Sequence, residues 1–305
     1  MESTKIKMYP HENLLRDWAK PPTTTEDQRC SNAENVVRNA INAFPGLKNH
    51  DIEVFTQGSY RNGTNVRKES DVDICVCCKD VFFSELPSDM SWSNAGIVDA
   101  DYTYIQFKDD VGKALRNYLG DQAVKRGKKA FDLHENTYRV DADVVPAFEH
   151  RRYYVQNGQL AWLSGTELHP DDGGRIINWP HHNYENGTEK NRLANTRFKK
   201  LVRVLKNLRN VMADHGIDAA EPIPSYLIEC LVWNVPNDLF GNAEYVDDLR
   251  SVLIHLYEYT KADTTCFEWG EVNELKYLFR TTQPWTREVV NQFVISAWNY
   301  AELGG

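Results

Sequence analysis

Residues 58–73 read Gly-Ser-Tyr-Arg-Asn-Gly-Thr-Asn-Val-Arg-Lys-Glu-Ser-Asp-Val-Asp, a Gly-Ser pair followed by an Asp-x-Asp pair. The two aspartates, Asp71 and Asp73, open the apolar run Ile74-Cys75-Val76-Cys77-Cys78, which reads as a buried strand. Side chains alternate along a strand, so Asp71 and Asp73 share a face and aim two carboxylates at one point. Holding like charges that close is costly unless a cation lies between them. Hard oxygen ligands on a strand edge suit Mg²⁺, which keeps several waters and completes its shell with substrate phosphates. Gly58 and Ser59 supply the complement: a turn whose backbone can approach a phosphate closely, with amides and a hydroxyl as donors. Metal carboxylates beside a phosphate cradle mean phosphoryl or nucleotidyl transfer.

A two-metal site needs a further carboxylate from another strand. Tyr138-Arg139-Val140-Asp141-Ala142-Asp143-Val144-Val145-Pro146 offers it, in a β-branched run expected to end at its proline. Asp141 and Asp143 share a face, so periodicity leaves either as the ligand. A lone Asp-x-Asp is often just a pair of strand-end surface acids. Three elements in the right order, each in the local structure its chemistry needs, outweigh that reading.

Together these segments resemble the polymerase-β-type nucleotidyltransferases. Within them the chain is most similar to the bacterial cGAS/DncV-like nucleotidyltransferases (CD-NTases), relatives of cyclic GMP-AMP synthase and oligoadenylate synthetase. The resemblance rests on Tyr-Arg-Asn-Gly-Thr-Asn after Gly-Ser, on Asp-Ala-Asp-Val-Val-Pro-Ala-Phe, and on a basic helix described below. It runs from about Trp18 into the C-terminal half. It implies an α+β fold: a polymerase-β-like mixed-sheet lobe with an N-terminal helix over 1–190, an α-helical lobe over 191–305, and an active site in the cleft between them. It favours Asp143 as the third metal ligand, with two Mg²⁺ ions for which Mn²⁺ can substitute. It also implies NTP substrates, a product read by a separate cyclic-nucleotide-sensing effector, and a role in bacterial anti-phage signalling.

The whole chain bounds this reading. Its 305 residues can bury a substantial core. No stretch approaches the length of a membrane span, and the N-terminus lacks the apolar core of a signal peptide. The six cysteines lie mostly in apolar runs, three of them beside the catalytic strand, and read as reduced thiols of a cytosolic protein. Cys75, Cys77 and Cys78 lack a second Cys or His pair at zinc spacing, which argues against a metal there. The net charge of −9 argues against a grip on long nucleic acid and for small anionic substrates.

Along the chain, a helix capped near Thr23 is expected to reach Phe44, strands to cover 52–57 and 71–78, and a helix to cover 111–119. Residues 84–101 read as irregular, and 156–186, rich in Gly, Pro, Asn and His, as loops around a cleft. From Arg192 onward the pattern is helical, including helices near 246–259 and 286–302.

Between Glu189 and Asp214 there is no acid, while Lys190, Arg192, Arg197, Lys199, Lys200, Arg203, Lys206 and Arg209 are basic. Lys199, Arg203 and Lys206 fall on one helical ridge. An ordinary solvated face is the bland reading; an unbalanced charge beside a triphosphate site favours a functional one, with Arg203 among the nucleotide-binding residues. The family resemblance places Lys206 on the donor triphosphate, Ser225 as a further phosphate donor and Tyr226 stacked on a base, against a core tyrosine as its competitor. Asn178, in Arg175-Ile176-Ile177-Asn178-Trp179-Pro180, can offer a donor and an acceptor to uracil, or can satisfy loop backbone instead. The C-terminal Glu302-Leu303-Gly304-Gly305 is of a kind that a conjugating partner enzyme can accept, or is simply an untethered end.

The reading is a Mg²⁺-dependent synthase of a cyclic di- or oligonucleotide second messenger. Its rivals are a nucleotidyltransferase acting on an RNA 3′ end or a protein, and an inactive nucleotide-binding scaffold.

Overall fold

The structure, a computed structural model, describes residues 8–66 and 71–303; the Gly304-Gly305 tail lies outside them. The chain forms two compact units, one from Thr23–Tyr60 and Ser70–His181, the other from Met1–Pro22, Arg61–Glu69 and His182–Gly305. The division expected at 190/191 therefore falls at 181/182, and two further segments join the helical unit. Their side chains explain why. Leu15 and Ala19 pack into the helical core, and Asn62 and Thr64 bond Glu229 of that unit.

The sheet unit holds β1 (Ile52–Gln57), β2 (Val72–Glu85), β3 (Val124–Arg126), β4 (Phe131–Leu133), β5 (Ala142–Gln156), β6 (Gln159–Leu168) and β7 (Ile176–Asn178). The order is β1-β2-β5-β4-β3, with β6 on β5 and β7 on β6. Only β2 and β5 run parallel among these pairs. The long helices α2 (Thr24–Ala43) and α4 (Tyr104–Leu119) cover one face. Ile74, Val76 and Cys78 point into that layer with Val37, Ile41, Phe107 and Val111. Cys75 and Cys77 alternate to the opposite face with Phe55 and Ala147, as a period of two requires. Thr23 caps α2 in a reciprocal box with Glu26, which stops the helix from fraying at its start.

Three expectations are corrected here. The strand through Asp143 does not end at Pro146; β5 runs on to Gln156. Its neighbour on one side changes at that point, with β4 pairing Ala142–Val144 and β6 starting at Phe148. Pro146 falls in the gap, so its missing N–H breaks no ladder bond, and its carbonyl accepts from Tyr104 Oη at 2.9 Å. Residues 156–186 are not loops: they hold β6, β7 and the start of α5 (Pro180–Leu193). Gly58 and Ser59 form no open turn; they begin a short helix, α3 (Gly58–Asn62).

The helical unit contains α1 (Glu12–Trp18), most of α5, α6 (Phe198–Asp214), α7 (Ser225–Trp233), α8 (Tyr245–Thr260), the short α9 (Asp263–Cys266) and α10 (Arg287–Tyr300). Its core joins Leu201, Leu205, Leu208 and Met212 of α6 to Leu227 and Leu231 of α7 and to Phe293 and Ala297 of α10. Leu303, expected in a loose tail, is buried and its carbonyl accepts from Arg250. No helix among the described residues is long and apolar enough to cross a membrane.

Candidate active site

The parallel pairing of β2 and β5 sets Asp73 opposite Asp143. Register partners on adjacent strands point to the same face roughly 4.8 Å apart, so the two carboxylates share a site on the sheet face away from α2 and α4. On the other side of β5, Asp132 of β4 is the partner of Asp143. Asp73, Asp143 and Asp132 thus form a row across three strands, with Asp71 one residue before β2. Burial raises the Asp143 carboxyl above its ordinary value, and the negative charges of Asp132, Asp71 and Asp141 push it the same way.

Asp141 has hydrogen-bond partners of its own. Its Oδ1 accepts the Glu135 amide at 2.5 Å, and its own carbonyl accepts the Val72 amide where β2 begins. Asp141 anchors the entry to the parallel pair, while Asp143 meets Asp73.

Gly58 begins α3 at φ 65°, a left-handed conformation that favours glycine. A Cβ at this position would lie 2.3 Å from Asp73 Oδ2. Glycine therefore does two things: it permits the turn out of β1 and it leaves the space beside the Asp73 carboxylate open. Ser59 follows it directly, half-buried.

Asn178 is on β7, paired with Thr166. It is half-buried, and its carboxamide makes no side-chain hydrogen bond to another described residue.

The helical unit presents its expected residues differently. Ser225 opens α7 behind Pro224, and Arg209 Nη2 donates to its Oγ at 2.7 Å. An accepted bond leaves the hydroxyl able to donate. Tyr226 packs its ring on the helical core, and its hydroxyl meets Glu271 at 2.9 Å and Asn183 and Asn273 at 3.2 Å each. That polar cluster fixes the ring orientation.

The basic ridge is buried. Lys206 is fully buried and Arg203 is 5% exposed, so the ridge forms no solvated face. Arg203 Nε and Nη2 donate to Ala19 O at 2.9 and 2.6 Å, and Nη1 donates to Gly63 O. Burial lowers this guanidinium to about 10. Arg203 clamps the end of α1 to the 61–66 segment. The same segment is held by Glu229, which accepts from Asn62 at 2.8 Å and Thr64 at 2.7 Å.

Two participants escaped sequence reasoning. Asp132 sits in the short alternation Phe131-Asp132-Leu133, which repeats the pattern of Ala142-Asp143-Val144 and was the available signal. Glu229 was the one acid inside the apolar run of α7, the mark of a buried group with committed partners.

Comparison with known proteins agrees with this architecture. Residues 37–154 match a nucleotidyltransferase domain model, and residues 185–302 match the cGAS/DncV-like nucleotidyltransferase C-terminal helical domain. The chain is 46% identical to a cyclic dipyrimidine nucleotide synthase of Legionella pneumophila, over 95% of this chain and 98% of the relative. It is 42% identical to a cyclic dipyrimidine nucleotide synthase of Cecembia lonarensis, over 96% and 98%. Among solved structures, the c-UMP-AMP synthase of Rhodothermus marinus with Apcpp and Upnpp matches at a TM-score of 0.82 and 31% identity, covering 94% of both chains. Enzymes with this transferase domain generally use divalent metal ions, and cyclic nucleotide synthases use NTP substrates. With an aspartate row on a transferase sheet, a matching helical unit and relatives this similar over nearly the whole chain, the protein belongs to the cGAS/DncV-like nucleotidyltransferases and is itself a nucleotidyltransferase.

Proposed function

We propose that this enzyme joins nucleoside triphosphates, at least one of them a pyrimidine nucleotide, into a cyclic dinucleotide second messenger. The observation that carries the proposal is the register pairing of Asp73 with Asp143, with Gly58 holding open the space at Asp73 Oδ2. This donor set fits hard divalent cations: it is all carboxylate oxygen, and the opening beside Asp73 is one that a Cβ would close. Asp71, Asp73 and Asp143 would hold two Mg²⁺ ions, for which Mn²⁺ can substitute. When bound, the ions neutralise the carboxylates and triphosphate and acidify the attacking ribose hydroxyl.

The protein supplies position. In the sheet unit, Ser59 would donate to a phosphate oxygen; in the helical unit, taken by itself, Ser225 is the expected phosphate donor and the Tyr226 ring, fixed through its hydroxyl, the expected stacking surface for a base. A ribose hydroxyl attacks the α-phosphate, the P–O bond to the leaving group breaks, and pyrophosphate departs. A second such transfer closes the ring. Lys206, buried on α6, would supply its ammonium to the donor triphosphate.

Pyrimidine preference rests on Asn178, whose carboxamide is uncommitted on a strand, and on the dipyrimidine synthases to which the chain is similar. An amide matches the adjacent acceptor and donor of uracil. The proposal extends to a separate effector that senses the product, in anti-phage defence.

The test is mass spectrometry of phosphatase-resistant products made from equimolar ATP, GTP, CTP and UTP with Mg²⁺. A cyclic product containing a pyrimidine is expected. Label found only on RNA or protein, or a purine-only product, would overturn the reading.

A further inference from the structure

β2 carries a second group of ligating side chains, at the end remote from Asp73. His50 Nδ1 lies 2.9 Å from Asp80 Oδ2, and Cys78 Sγ lies 3.0 Å from Asp80 Oδ1. A nitrogen, a sulfur and an oxygen donor from these residues all fall within 4.8 Å of one another. From Asp73 to Asp80 an extended strand covers roughly 23 Å, so this cluster is separate from the aspartate row.

The fold fixes each member independently. The β2–β5 register shifts between Cys78 and Phe82, a bulge of the kind that re-aims side chains, and Asp80 lies within it. The His50 ring stacks on Tyr102 with centroids 4.2 Å apart and planes 15° off parallel. The Tyr102 hydroxyl is in turn held by Asp110 Oδ2 at 3.0 Å. The Asp51 amide donates to Asp80 Oδ1 at 3.1 Å, and the Lys79 amide donates to Asp51 O at 2.8 Å. The segment before β1 is thereby tied to the bulge in β2.

Asp80 joins the other two: its Oδ1 accepts from the Cys78 thiol and its Oδ2 meets His50 Nδ1. Asp80 and Tyr102 border an open cavity of about 1210 Å³ in the sheet unit, which gives an ion a way in.

We propose that His50, Cys78 and Asp80 form a structural site for a zinc-class cation, bound through Nδ1, Sγ and one carboxylate oxygen, with water in the fourth position. The mixed N, S and O set suits a borderline-soft ion and not Mg²⁺. Bonds of ~2.0–2.3 Å in a tetrahedron put ligand atoms ~3.3–3.7 Å apart, a spacing the three donors, all within 4.8 Å of one another, can reach by small side-chain shifts. On binding, the thiol releases its proton to solvent and a metal–sulfur bond forms. Neutral imidazole binds through Nδ1, and the two hydrogen bonds to Asp80 are replaced. The ion staples the entry to β1 onto β2. Zinc motifs are read from paired ligands close in sequence; here the histidine comes from a segment far from the cysteine and is brought in only by the sheet.

The test uses the full chain, stripped with chelator and titrated with Co²⁺ and then Zn²⁺. Expected are the intense d–d bands of tetrahedral cobalt together with a thiolate-to-cobalt charge-transfer band, both bleached by Zn²⁺. Cys78→Ser should remove the charge-transfer band, and His50→Gln should weaken zinc binding at least ~10-fold. Zinc should raise the melting temperature of the wild type more than that of either variant. His50→Gln, on a partly exposed segment, keeps the test informative if Cys78→Ser misfolds. An Asp71→Asn/Asp73→Asn double variant should keep the cobalt signal. No charge-transfer band at saturating Co²⁺, or one that survives both the Cys78 and His50 changes, would overturn the proposal.

Discussion

The aspartate row of the sheet unit and the basic stretch of the helical unit are both dense in charge, yet the fold treats them in opposite ways. Asp73, Asp143 and Asp132 are set side by side by strand register, and the neighbouring acids make Asp143 harder to ionise. The cations are dispersed onto fixed partners. Arg203 binds backbone carbonyls, Arg197 lies 3.5 Å from the buried Asp248, and Lys190 donates to Val235 O and Asn237 Oδ1. Like charge gathered by strand register marks a candidate ligand site; charge held on buried backbone partners marks a structural joint. The acids should therefore govern turnover, and the bases stability.

The largest effect is expected at Asp143. Asp143→Asn should cut turnover by about 10³-fold, the scale of losing a group that stabilises transition-state charge. The same change should make the metal-free protein more stable at neutral pH. The folded carboxyl is raised above its unfolded value, so ionising it costs the native state. That cost is absent below the unfolded pKa of ~3.9, grows as pH rises toward the folded value, and stays constant above it. Melting curves of the wild type and Asp143→Asn should thus separate at pH 7 and converge near pH ~4.

Arg203→Met is expected to do the reverse, lowering stability by about 2–4 kcal/mol while the acid row remains intact. It strands the Ala19 and Gly63 carbonyls in a buried setting. Denaturant unfolding would measure it; an unchanged midpoint would remove the clamp.

Strand alternation located Asp71, Asp73 and the Asp141/Asp143 pair because those residues act through a local period. The ridge Lys199-Arg203-Lys206 was also placed on one helix face correctly, but helical spacing cannot say whether a face meets water or protein. Here it meets the 61–66 segment, a long-range contact invisible to any local pattern. The β5–β6 hairpin did have a local signal. Asn157 and Gly158 have φ of 52° and 76°, the paired positive angles of a tight hairpin turn that Asn-Gly favours. The polar, Gly-rich composition of the following residues masked it. Pro146 misled for a related reason: whether a proline ends a strand depends on which neighbour its N–H would have faced.

Lys190 offers a finer test of buried positive charge. Burial lowers it to about 8, below the unfolded value of ~10.4. Its charge costs the native state in full below about 8, and the cost is relieved as pH rises to ~10.4. The stability of the wild type relative to Lys190→Met should therefore improve across that interval. A difference that does not change with pH would place the Lys190 ammonium in a better-solvated setting.

The smallest effect is expected at Asn178. Asn178→Ser should shift the pyrimidine-to-purine product ratio by about tenfold, the scale of one lost base-reading amide, with total turnover preserved. Product ratios from equimolar NTPs measure it, and an unchanged ratio returns Asn178 to a plain strand residue.

The most direct test of the contrast is the double variant Asp71→Asn/Asp73→Asn, assayed in parallel for Mg²⁺-dependent product formation and for thermal unfolding. Expected are native circular dichroism, a melting temperature in the absence of metal at or above that of the wild type, and no detectable cyclic product. Near-wild-type product from this variant, or a loss of activity that merely follows a collapse in stability, would contradict it.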